Sequence, residues 1–277
     1  MNIYEAIHKF SQNGIKAMVV TVVEKNGEGP VEVGKKMVVG ENLEAHGTVG
    51  GGALEYYARE QCKELIQTCS NKLEKYLLSE GKVLVDTTTL PMVCGGTVTL
   101  FYEYVGAMAY VYLFGAGHVS AATARVLKTM PFHITVIDER REVIDAFEDA
   151  DQKFHMGFVE FIETHGLKEH SYVVVCTPSH KYDYHVINTV LEKNIKLSYI
   201  GMLCSPTKLT DYLKKTYETF GKEVDLSRFY SPIGLNLGGG SPAEIAISIT
   251  SEILAVIHQK EAILHMRELV HDHLRYW

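Results

Sequence analysis

The chain has 277 residues, enough at about 150 residues per domain for one large domain or two modest ones. Its 27 Lys plus Arg against 34 Asp plus Glu leave a formal charge of -7, which argues against capture by nucleic-acid phosphates or anionic membrane surfaces. Hydrophobic residues at 46% and charged residues at 22% exclude a largely disordered chain, and no apolar stretch approaches the roughly 20 residues that span a bilayer. Cys62, Cys69, Cys94, Cys176 and Cys204 form no C-x-x-C pair, which suits reduced thiols rather than a disulfide frame or a structural zinc site. The start Met1-Asn2-Ile3-Tyr4-Glu5 lacks a basic region followed by an apolar one, so a cytoplasmic protein is expected.

In chain order, Ile3, Ala6, Ile7 and Phe10 recur at helical spacing until Asn13-Gly14, predicting a short helix over residues 2–13. Residues 17–23 are a β-branched run followed by Asn26-Gly27 and Gly29-Pro30, and residues 36–39 a second short strand closed by Gly40. Gly47-Thr48-Val49-Gly50-Gly51-Gly52 leads into an amphipathic helix with an apolar stripe through Leu54, Tyr57, Ala58, Cys62, Leu65, Ile66 and Cys69. Strands are expected again over 83–87 and 98–105, joined by Leu90-Pro91-Met92-Val93-Cys94-Gly95-Gly96.

The small, weakly patterned Gly106-Ala107-Met108-Ala109 marks a boundary, giving one α/β domain over 1–106 and another over 107–277. The second opens with a βαβ unit: a strand over 109–114, a glycine turn over 115–120, a helix over 119–130 and a strand over 134–137 ending at Asp138. Buried-type strands over 172–176 and 197–200 end in Thr177-Pro178-Ser179 and Gly201. This alternation predicts a mostly parallel sheet with helices on both faces. Ser241-Pro242-Ala243-Glu244 supplies an N-cap, a proline at the first helical position and a capping-box glutamate for a long helix.

Gly115-Ala116-Gly117-His118-Val119-Ser120 follows a strand, opens a helix and precedes the strand ending in Asp138, the context of a dinucleotide turn. Gly115 allows the tight turn, and Gly117 lets backbone amides approach a pyrophosphate. Asp138, about 20 residues further on, is placed to accept from ribose hydroxyls. Ser120 stands where a third glycine is usual, which sets helix and strand slightly farther apart, and Arg140-Arg141 leaves NAD or NADP open. His180, with Asp183 nearby, belongs with His118 to the carboxyl end of the sheet, where ligands bind; a solvent-facing histidine is the plainer reading.

Gly50, Gly51 and Gly52 before a helix are a second candidate anion cradle, with a tight turn needing positive φ as the alternative. Cys94, followed by Gly95 and Gly96, has the open surroundings of a sulfur or metal ligand, with inert packing as the alternative. Cys62 and Cys69 fall on the helix stripe and read as core. His258, His265, His271 and His273 repeat no metal-site spacing and read as surface residues.

Taken together, the segment from Gly47 to Glu55, Cys94-Gly95-Gly96, Gly115-Ala116-Gly117-His118-Val119, Tyr199-Ile200-Gly201, and Ile233-Gly234-Leu235 ahead of Ser241-Pro242-Ala243-Glu244-Ile245-Ala246 resemble the XdhC/CoxI family in content and order, over about residues 10 to 258. The resemblance implies an N-terminal α/β XdhC/CoxI domain followed by a Rossmann-like doubly wound parallel-sheet domain. It also implies an accessory role: binding molybdenum cofactor, protecting it during sulfuration by a cysteine desulfurase, and delivering it to the apo-enzyme of a xanthine dehydrogenase-type molybdenum hydroxylase.

The binding residues expected on this basis are Gly50, Gly51, Gly52, Glu55, Cys94, Gly95 and Gly96 in the first domain, with Cys94 as the candidate metal ligand. In the second they are Gly115, Gly117, His118, Asp138 and His180, with NAD(P) as their ligand. No catalytic residue is singled out, and a homodimer that binds neither nucleic acid nor membrane is the expected assembly. The rival classes are an NAD(P)-dependent oxidoreductase and a nucleotide or redox sensor using the same crevice. No tyrosine-lysine pair or other familiar proton-transfer set is evident, so the reading leans toward a cofactor chaperone rather than an enzyme.

Overall fold

The structure, a computed structural model, describes residues 2–27, 31–79, 84–92 and 95–260. Val83, Cys94, His265, His271 and His273 lie outside the described residues. The chain divides into two compact units, one ending at Met108 and the other beginning at Ala109.

The first unit runs α1 (Ile3–Gln12), β1 (Ala17–Asn26), β2 (Lys36–Gly40), β3 (Ala45–Gly47), α2 (Gly52–Thr68), β4 (Lys72–Leu77), β5 (Thr88–Thr89) and β6 (Thr97–Val105). Helix α1 starts in a capping box, Asn2 accepting from the Glu5 amide and Glu5 from the Asn2 amide. The strands form one sheet in the order β3-β2-β1-β6-β4-β5, antiparallel except for the β4–β5 pair. Alternation along β1 divides the core. Met18, Val20 and Val22 meet the α2 stripe of Leu54, Ala58, Cys62, Leu65 and Ile66, while Ala17 and Val19 meet Ala6 and Phe10 of α1. Burial pushes the Cys62 thiol up to about 12, so it is an inert core group.

Two sequence expectations are corrected in this unit. Residues 84–87 form no strand: Asp86 sits at φ 57 and Val85 is 87% exposed, so the segment turns, and pairing begins only with β5, against β4, a strand the sequence did not indicate. Cys69 is not core. It ends α2 in the left-handed conformation at φ 50, with its sulfur 3.7 Å from Lys16 Nζ.

The second unit runs β7 (Ala109–Phe114), α3 (His118–Leu127), β8 (Phe132–Asp138), α4 (Arg141–Asp145), β9 (Gln152–His155), α5 (Phe158–Thr164), β10 (Tyr172–Val175), α6 (His180–Glu192), β11 (Tyr199–Met202), α7 (Pro206–Phe220), β12 (Phe229–Tyr230) and α8 (Pro242–Ile257). All its strands are parallel, in the order β12-β11-β10-β7-β8-β9. Residues 109–114, 132–138, 172–175 and 199–202 are buried along their whole length, as expected of strands covered on both faces. Helix α3 packs on α8, and α5, α6 and α7 pack in succession. The fourth sequence-predicted strand lies two residues later than the expected 197–200, at β11. Among the described residues no helix is long and apolar enough to cross a membrane.

Candidate functional site

The strand order puts β7 beside β10, and the chain leaves their carboxyl ends in opposite directions, β7 toward β8 and β10 toward β11. Such a switch point opens a crevice between two diverging loops. Here they are residues 115–117 and 176–179, and they meet backbone to backbone. Gly115 has φ 101, and a Cβ there would stand 2.3 Å from the Cys176 carbonyl oxygen. Gly117 differs: it caps α3 with extended backbone and no side-chain bond, and a Cβ built on it meets nothing within 4 Å. The start of α3 thus carries no side-chain cap, which suits an anion. His118, the first helical residue, is exposed.

A buried carboxylate pins each loop. Asp138 Oδ2 accepts from the Ala116 amide at 2.7 Å and from Arg140 Nη2 at 2.7 Å, and its Oδ1 accepts from Arg140 N and Nε, both at 2.9 Å. Burial alone would raise its pKa, yet the Arg140 and Ala116 donors hold it below the usual carboxylate range. On the other loop, Asp183 Oδ1 accepts from the Thr177 amide at 3.0 Å and the Thr177 hydroxyl at 2.6 Å. Burial there dominates and the Asp183 pKa is raised. Burial, reinforced by the Asp183 charge, pushes the neighbouring Cys176 thiol up to about 12, so it is protonated at neutral pH. His180 opens α6 on the exposed side, its ring edge-on to Tyr184 at 5.8 Å. Of the residues expected in this crevice, Gly115 and Asp138 shape the turn, while Gly117, His118 and His180 present themselves outward.

One constellation joins two of the segments that carry the family resemblance, Tyr199-Ile200-Gly201 and Ile233-Gly234-Leu235, to Glu252. The Tyr199 hydroxyl donates to Glu252 Oε2 at 2.5 Å, and the same oxygen accepts from the Gly234 amide at 2.9 Å. A Cβ on Gly201 would stand 2.4 Å from Ile233 Cδ1 and 2.5 Å from Tyr199 Oη. The Tyr199-Ile200-Gly201 segment thus places a hydroxyl over its own glycine, two residues on and on the same face of the strand. Tyr199 also stacks between Tyr230 at 4.6 Å and Tyr172 at 6.2 Å. The available signal was Tyr-x-Gly in a buried strand, where the glycine reserves room for a large neighbour.

In the first unit the registers set Asn26, Thr97, Leu77 and Thr89 in one row where β1 and β4 end, and Gly47 level with Met37, Val20, Tyr102 and Lys72, five to six residues short of that row. The loops carrying Gly50–Gly52 and Gly95–Gly96 therefore leave the sheet at different heights. Gly51 caps α2 at φ 75 without a side-chain bond, and Cβ atoms on Gly51 and Gly52 meet nothing within 4 Å. Gly50, at φ 128, lies against Val31 instead. The Glu55 carboxylate is held by the Thr48 hydroxyl at 2.6 Å and Arg59 Nη2 at 3.0 Å, so it braces the loop. Gly95 donates its amide to the Leu78 carbonyl at 2.7 Å with open space at its Cβ position. Gly96 is tight: a Cβ there would meet the Asn26 carbonyl oxygen at 2.3 Å. The uncapped start of α2 has glycine rather than side-chain bulk around it, an arrangement that suits an anion.

The XdhC Rossmann domain family model matches residues 111–253, and the XdhC and CoxI family model matches residues 11–76. The chain is 27% identical over 260 residues to Uncharacterized protein YqeB of Escherichia coli (strain K12), a match covering 92% of this chain and 46% of that protein. It is 30% identical over 160 residues to a probable xanthine dehydrogenase subunit of Bacillus subtilis (strain 168), covering 57% of this chain and 46% of that protein. The chain thus spans less than half the length of these relatives. A crystal structure described as a xanthine dehydrogenase from Bacillus halodurans superposes with a TM-score of 0.50 at 18% identity, covering 96% of this chain and 98% of the other, a likeness of fold.

Proposed function

We propose that this chain, which belongs to the XdhC and CoxI family, is an accessory protein for a xanthine dehydrogenase-type molybdenum hydroxylase. In this reading it binds molybdenum cofactor, shields it while a cysteine desulfurase sulfurates it, and delivers it to the apo-enzyme as a homodimer. The observation that carries the binding step is the open, uncapped start of α2 at Gly51 and Gly52. The amides at this helix start hold the phosphate of the cargo, Thr48 and Arg59 fix the Glu55 carboxylate beside the loop, and Cys94 serves the molybdenum or sulfur end. The cargo supplies the hydroxylation chemistry only once it resides in the client enzyme.

The test is expression with molybdate, gentle purification and mass spectrometry of released ligands, followed by mixing with apo-hydroxylase. The expected result is a bound pterin and a gain of hydroxylase activity. Absence of both sinks the proposal.

The crevice of the second unit supports a companion reading, a nicotinamide dinucleotide held at Gly115, Gly117 and His118. The open space at Gly117 beside the α3 amides favours it. Calorimetry with NAD(H) and NADP(H) checks this; no heat at millimolar concentration would overturn it.

A further inference from the structure

Resting on the reading that Gly115, Gly117 and His118 hold a dinucleotide, we infer that the crevice selects the 2′-phosphorylated dinucleotides, NADP and NADPH, through Arg140 and Arg141. The residue expected to accept from the ribose hydroxyls is Asp138, at the end of β8, and a carboxylate there selects NAD when its oxygens are free. In this chain they are not free. The carboxylate accepts two bonds from the Arg140 side chain, one from the Arg140 amide and one from the Ala116 amide, and Asp138 is fully buried.

What the end of β8 offers outward is a guanidinium, 43% exposed in its side chain. The bidentate pair uses the Nε hydrogen and one Nη2 hydrogen, which leaves three of the five guanidinium N–H donors for another oxyanion. Because Asp138 clamps it in place, this fork is fixed before any ligand arrives, the condition under which arginine recognises phosphate well. Arg141 follows at the first position of α4, also exposed.

Two further carboxylates, Glu139 and Glu142, flank the arginine pair. Glu139 turns toward Gly157, where a built Cβ lies 3.7 Å from its Oε1, and its carbonyl accepts from His155 at 3.0 Å. Glu142, close enough to act on the Arg140 charge, lines a cavity of about 340 Å3 with Ala116 of the glycine turn, Arg125 and Phe147. The clamp also implies a latent carboxylate: remove the arginine and Asp138 regains oxygens able to bind a ribose diol.

The experiment is calorimetry of the full chain with NADPH and NADH, for wild type, Arg140→Ala, Arg140→Gln and Arg141→Ala, with melting curves alongside. Wild type is expected to bind NADPH at least tenfold more tightly than NADH. Arg140→Ala is expected to bring the ratio to about one or invert it, with NADH binding retained. Arg140→Gln, which keeps a neutral donor to Asp138, is expected to lower NADPH affinity alone, and serves if the alanine variant melts early. Arg141→Ala is expected to lower NADPH affinity severalfold. Equal affinities in wild type, or a ratio unmoved by both Arg140 variants, overturn the inference while leaving the dinucleotide site standing. Binding of neither dinucleotide overturns the site itself.

Discussion

Gly115 and Cys176 meet so closely that the carbonyl oxygen of one occupies the space where a side chain of the other would begin, 2.3 Å from the built Cβ position. With φ at 101, residue 115 is barred to other residue types by conformation and by contact alike. Gly115→Ala is therefore expected to cost about 2–4 kcal/mol of stability. Gly117, at φ -73 with open surroundings, behaves oppositely. Gly117→Ala should change stability by less than about 1 kcal/mol, while Gly117→Val should abolish dinucleotide binding without unfolding. Urea titration and calorimetry on the three variants separate the structural glycine from the binding one.

The Tyr199, Gly201 and Glu252 arrangement yields a coupling. Gly201→Ala forces a methyl against Ile233 and the Tyr199 hydroxyl and should cost about 1–3 kcal/mol. Tyr199→Phe removes the bond to Glu252 and should cost about 1–2 kcal/mol. The double variant is expected to lose less than the sum, because removing the hydroxyl relieves one of the two collisions. Additive losses in a double-mutant cycle would refute the shared contact.

The two buried carboxylates respond to acid with opposite sign. Asp138 has a depressed pKa in the folded protein, so its contribution is present above the unfolded value of about 4 and is lost as pH falls through the folded value. Asp138→Asn should thus cost about 3 kcal/mol at neutral pH and progressively less toward pH 3. Asp183 has a raised pKa, so its contribution is present below the unfolded value and is lost as pH rises through the folded one. Asp183→Asn should gain on wild type as pH rises from 3 to 7. Unfolding free energies across that range check both; parallel pH curves for variant and parent would contradict the assignment.

In the first unit, Gly51 sits at φ 75 and ψ -173, a region reserved for glycine, so Gly51→Ala is expected to cost about 1–3 kcal/mol from backbone strain alone. Gly52, at φ 60, lies where asparagine is tolerated. Gly52→Asn should keep the fold and lower the pterin load measured by mass spectrometry. Cys94→Ser should leave melting within about 1 kcal/mol of wild type and reduce hydroxylase activation. A full pterin load in Gly52→Asn would make this loop a turn and nothing more.

What was legible in the sequence was carried by neighbouring residues. The β7–turn–α3 unit and the Ser241 to Glu244 cap are local chemistry, and both form where the residues indicate, the cap with Ser241 and Glu244 bonding reciprocally. Strand β4 escaped because Lys72, Glu74 and Lys75 break the apolar alternation, leaving Tyr76 and Leu77 as its buried pair. Strand β9 escaped for a similar reason, since none of its four residues is fully buried. The inward turn of Asp138 depends on the conformation of Arg140, and the Tyr199–Glu252 bond joins residues 53 positions apart. Neither relationship leaves a periodic trace.

Gly27 and Gly96 lie against each other where β1 ends and β6 begins: a Cβ on Gly27 would stand 2.8 Å from the Cα of Gly96, and one on Gly96 would stand 3.2 Å from the Cα of Gly27. Each position reserves the volume that the other would need to grow. Related chains that keep this close approach should therefore show correlated identities at these two sites, both glycine or both changed together. A lone substitution at either should mark a chain in which the segment leading into β6 has moved away.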